Sequence, residues 1–269
     1  MEQDTISIVR AFYNREVERE WNRIAGRPEL VIAQRFMGRY IKPGDRVLDI
    51  GGGPGRYSLW LAEKGCDVTL FDLSPENVAF AADKAKELNL PLQTVCGDAR
   101  IADELVQGTF DHVLVMGPMY HLLAEGDRIQ AIEASLRLLK AGGVLFVSFI
   151  NLLSILIYVM KREPGLVDHP DENMFARRSI LAQKSYAGEA FTQAYFIQQD
   201  EVLPFMAQFP LEKLHLLGQE GGLSHCEGNI LAQPPETVAA WFDLAEQLAE
   251  RPDLLNWSEH IMYIGRKKP

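Results

Sequence analysis

Val47-Leu48-Asp49-Ile50-Gly51-Gly52-Gly53-Pro54-Gly55-Arg56-Tyr57-Ser58 is the stretch that decides the fold. Residues 46–50 form a short apolar run with a carboxylate near its end, preceded by the turn Lys42-Pro43-Gly44-Asp45, so they predict a strand. The glycines from Gly51 to Gly55 let the chain turn sharply and let a ligand approach the backbone. Helical spacing resumes from Tyr57 to Lys64. The loop therefore opens onto a helix N-terminus, whose free N–H groups and positive end suit a phosphate or a carboxylate.

Working outward, residues 67–71 predict a second strand that ends at Asp72, and Ser74-Pro75 reads as an N-cap and first turn of a helix running to about 88. A third strand is expected at 92–95, before Gly97-Asp98, and a fourth at 110–116. A helix over 127–140, stopped by Ala141-Gly142-Gly143, leads to a fifth strand at 144–150. Strands alternating with helices imply right-handed crossovers and a parallel sheet, with ligands outside the strands' carboxyl ends. Asp49, Asp72, Asp98 and the turn Met116-Gly117-Pro118 all fall at such ends.

Upstream, residues 5–24 read as one amphipathic helix carrying Ile6, Val9, Tyr13, Val17 and Trp21, and Pro28 opens a second running to about 40. Downstream, 152–194 reads as a helical insertion covering the crevice, with the apolar run 152–160 as a buried lid helix. A helix interrupted at Pro204 is expected over 197–208, last strands at 211–217 and 260–265, and a helix over 235–250 between them. The expectation is an α/β fold, doubly wound around a mainly parallel seven-stranded sheet, in one domain over 1–269. Its parts would be an N-terminal helical cap (1–40), a cofactor-binding core (41–150), a lid and substrate insertion (151–195) and the C-terminal part of the sheet (196–269).

The chain has 269 residues, 47% apolar and 24% charged, enough to bury a sizeable core. With 27 basic against 37 acidic residues its net charge is −10, which disfavours a polyanionic partner, so no nucleic acid is expected. Cys66, Cys96 and Cys226 lack the spacing of a zinc or redox motif, and no metal is expected. No apolar run is long enough to span a bilayer, so the expectation is a cytoplasmic protein without a membrane partner. An oligomer stays open.

The glycine spacing does not meet the dinucleotide fingerprint, since its last position falls on Arg56 or Ser58. An acid at Asp49 would repel a pyrophosphate but suits a ligand bearing an ammonium and a sulfonium. The stretch quoted first resembles motif I of class I S-adenosylmethionine-dependent methyltransferases, which have a Rossmann-like fold. Asp72-Leu73-Ser74 resembles their motif II, Gly97-Asp98-Ala99 their adenine motif, and Gly117-Pro118-Met119-Tyr120-His121-Leu122 the segment after the fourth strand in a bacterial small-molecule subgroup. The resemblance implies S-adenosylmethionine as cofactor, S-adenosylhomocysteine as product and a small-molecule methyl acceptor. It implies that Gly51, Gly53 and Gly55 surround the methionine part, Asp72 the ribose and Asp98 the adenine, with Asp49, Gly52, Tyr57, Leu73, Ala99, Met116 and Gly117 as further cofactor-binding residues.

Methyl transfer from a sulfonium needs alignment and exclusion of water, and a base only where the acceptor is protonated. His121 is the leading base candidate, with a packing residue at a helix start as the competing reading. Tyr120 walls the cofactor, donates a hydrogen bond, or is core. Tyr13, Trp21 and Arg27 are candidates to close over the cofactor, a cation there pairing with its carboxylate. Methyl transfer to an N, O or S atom of a small molecule is the leading function. A non-catalytic cofactor-binding module and an RNA or protein methyltransferase are the alternatives.

Overall fold

The computed structural model describes residues 2–169 and 174–269. Three helices lead the chain: α1 (Glu2–Arg15), α2 (Val17–Arg23) and α3 (Pro28–Met37). Strands β1 (Arg46–Ile50), β2 (Asp67–Asp72), β3 (Gln93–Cys96), β4 (Phe110–Val115) and β5 (Leu139–Asn151) follow. They are linked in turn by α4 (Arg56–Glu63), α5 (Pro75–Glu87), α6 (Ala102–Leu105) and α7 (Glu125–Leu138). After β5 come α8 (Ser154–Arg162), α9 (Met174–Ala182), β6 (Tyr186–Glu189), β7 (Gln193–Ile197) and α10 (Val202–Met206). The chain closes with β8 (Leu211–Gly218), α11 (Glu227–Leu231), α12 (Pro235–Leu248) and β9 (His260–Lys267).

The first five strands pair in the order β3-β2-β1-β4-β5, all parallel, and β9 and β8 complete that layer antiparallel beyond β5. These are the seven strands the sequence predicts. Alternate residues of β1 and β4 feed opposite faces. Leu48, Ile50 and Val113 enter one apolar cluster, and Val47 and Leu114 the other, so the sheet is buried on both sides.

Among the described residues the sheet has nine strands rather than seven. The β6–β7 hairpin lies inside the segment expected to be wholly helical, and β7 pairs in parallel with Ile150 and Asn151, where β4 has already ended. The hairpin thus stands above the carboxyl end of β4. Residues 170–173 of the insertion lie outside the described residues. The expected buried lid helix is also corrected: in α8 only Ser154 and Ile157 are buried, while Leu156, Tyr158 and Met160 face out.

Three local expectations shift. The helix foreseen over 5–24 breaks at Glu16 (φ −102°, ψ 14°), and α2 is gripped by Arg56, whose Nε donates to the Trp21 carbonyl at 2.6 Å and whose guanidinium lies 3.5 Å from the Trp21 ring. The helix foreseen to 140 ends at Leu138, because Leu139 already pairs with Phe110 and the glycine turn falls within β5. A Cβ at Gly143 would lie 2.6 Å from the Asp111 carbonyl oxygen, so only glycine lets β4 run this close. Ile197 closes a strand, and Pro204 is tolerated in the first turn of α10, where its missing N–H has no partner to lose.

Candidate active site

One cavity opens where the carboxyl ends of β1, β2, β3 and β4 meet α1 and α2, with about 1130 Å³ of empty space including its mouth. The glycine loop forms its floor. Gly51 has φ +74°, and a Cβ there would come 2.4 Å from Pro118 Cδ; one at Gly117 would come 2.8 Å from the Gly51 carbonyl oxygen. The loops after β1 and β4 therefore touch backbone to backbone. Gly51→Ala should lower stability by roughly 2–4 kcal/mol, read as an earlier midpoint in a denaturant melt. An unchanged midpoint would mean that Pro118 gives way.

Ser74 is the N-cap foreseen, accepting from the Asn77 N–H at 3.1 Å, and its Oγ donates to Asn14 Oδ1 at 2.7 Å, tying α1 to α5. Asp72 is buried and ties this corner together. Its Oδ1 accepts from the Ser74 N–H (2.8 Å) and Asn77 Nδ2 (3.2 Å), and its Oδ2 from the Gly53 N–H (2.8 Å). Burial raises its pKa against those three hydrogen bonds.

Asp49 lies beneath the loop, fully buried. Its Oδ2 accepts from Ser58 Oγ at 2.7 Å, while Oδ1 has no partner among the described residues. Burial pushes it up to about 7, with Ser58 opposing. Such an orphaned acceptor invites a donor from a ligand. Asp98 lines the cavity and is clasped by Arg100, at 2.8 Å between Nη2 and Oδ2.

The roof comes from distant parts of the chain. Tyr13 Oη lies 2.6 Å from His121 Nε2, and His121 Nδ1 lies 3.0 Å from the Gln193 carbonyl oxygen. A carbonyl only accepts, so Nδ1 carries the proton and Tyr13 donates to Nε2. Phe12 and Phe191 meet edge-to-face beside this pair, joining α1 to the β6–β7 hairpin. Burial lowers His121 to about 4, so the imidazole is neutral at working pH. Tyr120 donates to the Met116 carbonyl at 2.9 Å.

Of the residues foreseen, Tyr13, Gly51, Gly52, Gly53, Tyr57, Asp72, Leu73, Asp98, Ala99, Met116, Gly117, Tyr120 and His121 line the cavity. Asp49, Trp21 and Gly55 do not: Asp49 is buried beneath the loop, Trp21 packs on the Arg56 guanidinium, and Gly55 caps α4 with φ +94°, close to Ala81. Arg27 faces a second groove, 3.4 Å from Glu227. Among the described residues the cations that line the cavity are Arg23 and Arg56, and sequence reading passed over Arg23 together with Glu20, Glu29, Ser148 and Gln219. Ile6, Val9 and Tyr13 on α1 do face the cavity, and Glu20 and Arg23, two and nearly three turns further, keep the same spacing across the break at Glu16, which was the available signal.

Glu220 turns inward from its glycine pair, accepting from His260 Nδ1 (2.8 Å) and from the His260 N–H (3.1 Å). Burial opposes a charge on His260, but Glu29 and Glu220 hold its proton up to about 9. Glu29, Glu220 and His260 bring ligand atoms within 4.8 Å of one another, the make-up of a metal set. Here those atoms are engaged by the imidazole's bond to Glu220 and by Arg23 on Glu29. His215 is held by Tyr40 and Glu250, and His225 packs edge-on to Trp257.

Residues 47–143 match the family model described as a methyltransferase domain. The chain is 35% identical over 167 residues to a glycine/sarcosine N-methyltransferase of Parasynechococcus marenigrum, covering 61% of this chain and 57% of that protein. It is 35% identical over 113 residues to a ubiquinone biosynthesis O-methyltransferase of Xanthomonas campestris, covering 42% and 46%. The chain thus spans about half the length of these relatives. The fold is similar to that of a magnesium protoporphyrin IX methyltransferase from Synechocystis with bound S-adenosylhomocysteine (TM-score 0.59, 16% identity, 98% of this chain and 100% of that one).

Proposed function

We propose that this chain, whose residues 47–143 match a methyltransferase domain, is a class I S-adenosylmethionine-dependent methyltransferase that transfers a methyl group to an N, O or S atom of a small molecule bound in the cavity above its glycine loop. The observation that carries this reading is the chemistry of the donors and acceptors around that loop. Asp49 Oδ1 is an orphaned buried acceptor suited to an ammonium, and Asp72 Oδ2 takes only one hydrogen bond from the protein. A carboxylate oxygen accepts about two, so Oδ2 is left with room for one ribose hydroxyl. Asp98 and Ala99 lie at the next strand end, in reach of an adenine.

When bound, S-adenosylmethionine supplies an electrophilic methyl on a sulfonium. The protein's share is placement. The loops after β1 and β4 fix the floor, α1 and the β6–β7 hairpin roof it, and the roof excludes water. His121 presents no free nitrogen, so it acts through Tyr13: by accepting the phenol's hydrogen bond it turns the Tyr13 oxygen's lone pairs toward the cavity. His121 and Tyr120 are therefore assigned to the acceptor side as positioning residues.

The test is calorimetric titration of the full chain with S-adenosylmethionine, with NADH as control, followed by detection of S-adenosylhomocysteine released on adding acceptors. Binding of the first and not of the second is expected. Well-folded protein that binds neither would remove the proposal, and binding without turnover on any acceptor would leave a cofactor-binding module.

A further inference from the structure

The cavity continues past Tyr120 to a charged wall. Arg23 Nε reaches Glu20 Oε2 at 2.9 Å, while its Nη1 and Nη2 reach Glu29 Oε2 and Oε1 at 2.9 and 3.3 Å. One guanidinium thus serves two carboxylates, and all three side chains line the cavity. Behind Glu29, His260 bonds Glu220 at 2.8 Å, which makes that pair neutral overall, and its Nδ1 also lies 3.8 Å from Glu29 Oε2. Within the wall two carboxylates share one guanidinium, on side chains only 16% and 13% exposed at Glu20 and Glu29, while Arg56, which also lines the cavity, is turned to the Trp21 carbonyl and ring instead of to these carboxylates. A charge so placed is relieved by a cation from solution.

A second observation is independent of that count. Tyr57 is 7% exposed and lines the cavity, and its phenol oxygen is buried with no hydrogen-bond partner among the described residues. An orphaned hydroxyl in a ligand cavity asks for a polar partner from the ligand.

We infer that the methyl acceptor is a small amine, drawn in as its ammonium by the Glu20–Arg23–Glu29 wall, with its N–H groups donating to Glu20, Glu29 and the Tyr57 oxygen. This rests on the reading of the cavity as a methyltransferase site. The reaction balances without another reagent. The ammonium releases one proton to water. Its nitrogen lone pair then forms the N–C bond as the C–S bond breaks, and both electrons of that bond remain on sulfur. Positive charge passes from sulfur to nitrogen, so carboxylates facing the nitrogen stabilise the transition state. Facing an oxyanion acceptor, the same carboxylates would repel the nucleophile.

The experiment is calorimetry on the full chain saturated with S-adenosylhomocysteine. Ethylamine, benzylamine and tryptamine are each compared with the matching alcohol, and benzoate serves as the anionic probe. At least one amine should bind tighter than its alcohol by about tenfold or more, with benzoate the weakest. Glu20→Gln, on the short α2, should erase that preference while S-adenosylhomocysteine affinity stays within about twofold. The wild-type comparison needs no variant to fold. An absence of preference for all three amines, a preference for benzoate, or an amine preference retained by Glu20→Gln overturns the inference. Failure of S-adenosylhomocysteine itself to bind is a separate result that removes the underlying reading, and the inference with it.

Discussion

Asp72→Asn should weaken S-adenosylmethionine binding by roughly a hundredfold, the largest loss expected from any single polar substitution in the cavity. The carboxylate uses both oxygens at once. Oδ1 accepts from the Ser74 N–H and Asn77, and Oδ2 from the Gly53 N–H. An amide must place an NH2 group at one of those positions. Placed at Oδ2, it opposes the Gly53 N–H and cannot accept from a ribose hydroxyl; placed at Oδ1, it opposes two donors. Loop geometry and ligand contact are lost together. The variant should also lose roughly 1–3 kcal/mol of stability, since at least one buried donor is left unsatisfied. Ser74→Ala is the control. It removes the N-cap and the tie to Asn14, costing about 1 kcal/mol, yet leaves the Asp72 carboxylate in place. Calorimetric affinities beside denaturant melts separate the effects. A folded Asp72→Asn protein that binds the donor as well as wild type would take Asp72 out of the site.

The parts of the site that were legible are the local ones. Asp49, Asp72 and Asp98 could be placed because each follows an apolar run and precedes a turn or helix start, and the parallel fold brings strand ends together. Ser74 was readable as a cap from its own neighbours. What stayed hidden depends on partners far along the chain. Nothing near Tyr186 announces that the strand after it will pair with Ile150. Glu220 next to two glycines reads as a surface turn until His260, 40 residues on, takes both its oxygens. Arg23 and Arg27 look alike in sequence. The break at Glu16 and the Arg56 grip on Trp21 set the course of α2, and Arg23 rather than Arg27 reaches the cavity. Helix periodicity marks a face but not how the helix is rotated against a neighbour chosen by long-range packing.

His121→Gln should lower kcat by about tenfold to a hundredfold while leaving the donor's Kd within about twofold, and it should flatten the acid side of the stability curve. Both follow from one geometry. Nδ1–H is committed to the Gln193 carbonyl and Nε2 receives the Tyr13 proton, so the ring joins α1 to the β6–β7 hairpin over the cavity. Removing it frees Tyr13 to turn its hydroxyl elsewhere, a loss felt at the reacting atoms and not at the glycine loop. The sign of the pH effect is fixed by burial, which depresses the folded pKa to about 4, below the unfolded value near 6.5. The unfolded chain binds the proton first, so the stability held above pH 6.5 is lost progressively as pH falls through 4, by about 3 kcal/mol in all. His260 works in the opposite sense. Its folded pKa is raised to about 9, so its contribution is full below about 6.5 and is lost as pH rises through 9. Denaturant melts from pH 4 to 9 should therefore show wild type losing more stability than His121→Gln toward pH 4 and more than His260→Gln toward pH 9, while Asp49, raised to about 7, works against the acid fall in all three proteins. Tyr13→Phe should reproduce the kcat loss of His121→Gln without its pH signature, because the buried imidazole remains. Should Tyr13→Phe keep full kcat, the coupling through Tyr13 fails and His121 is left with the packing role alone.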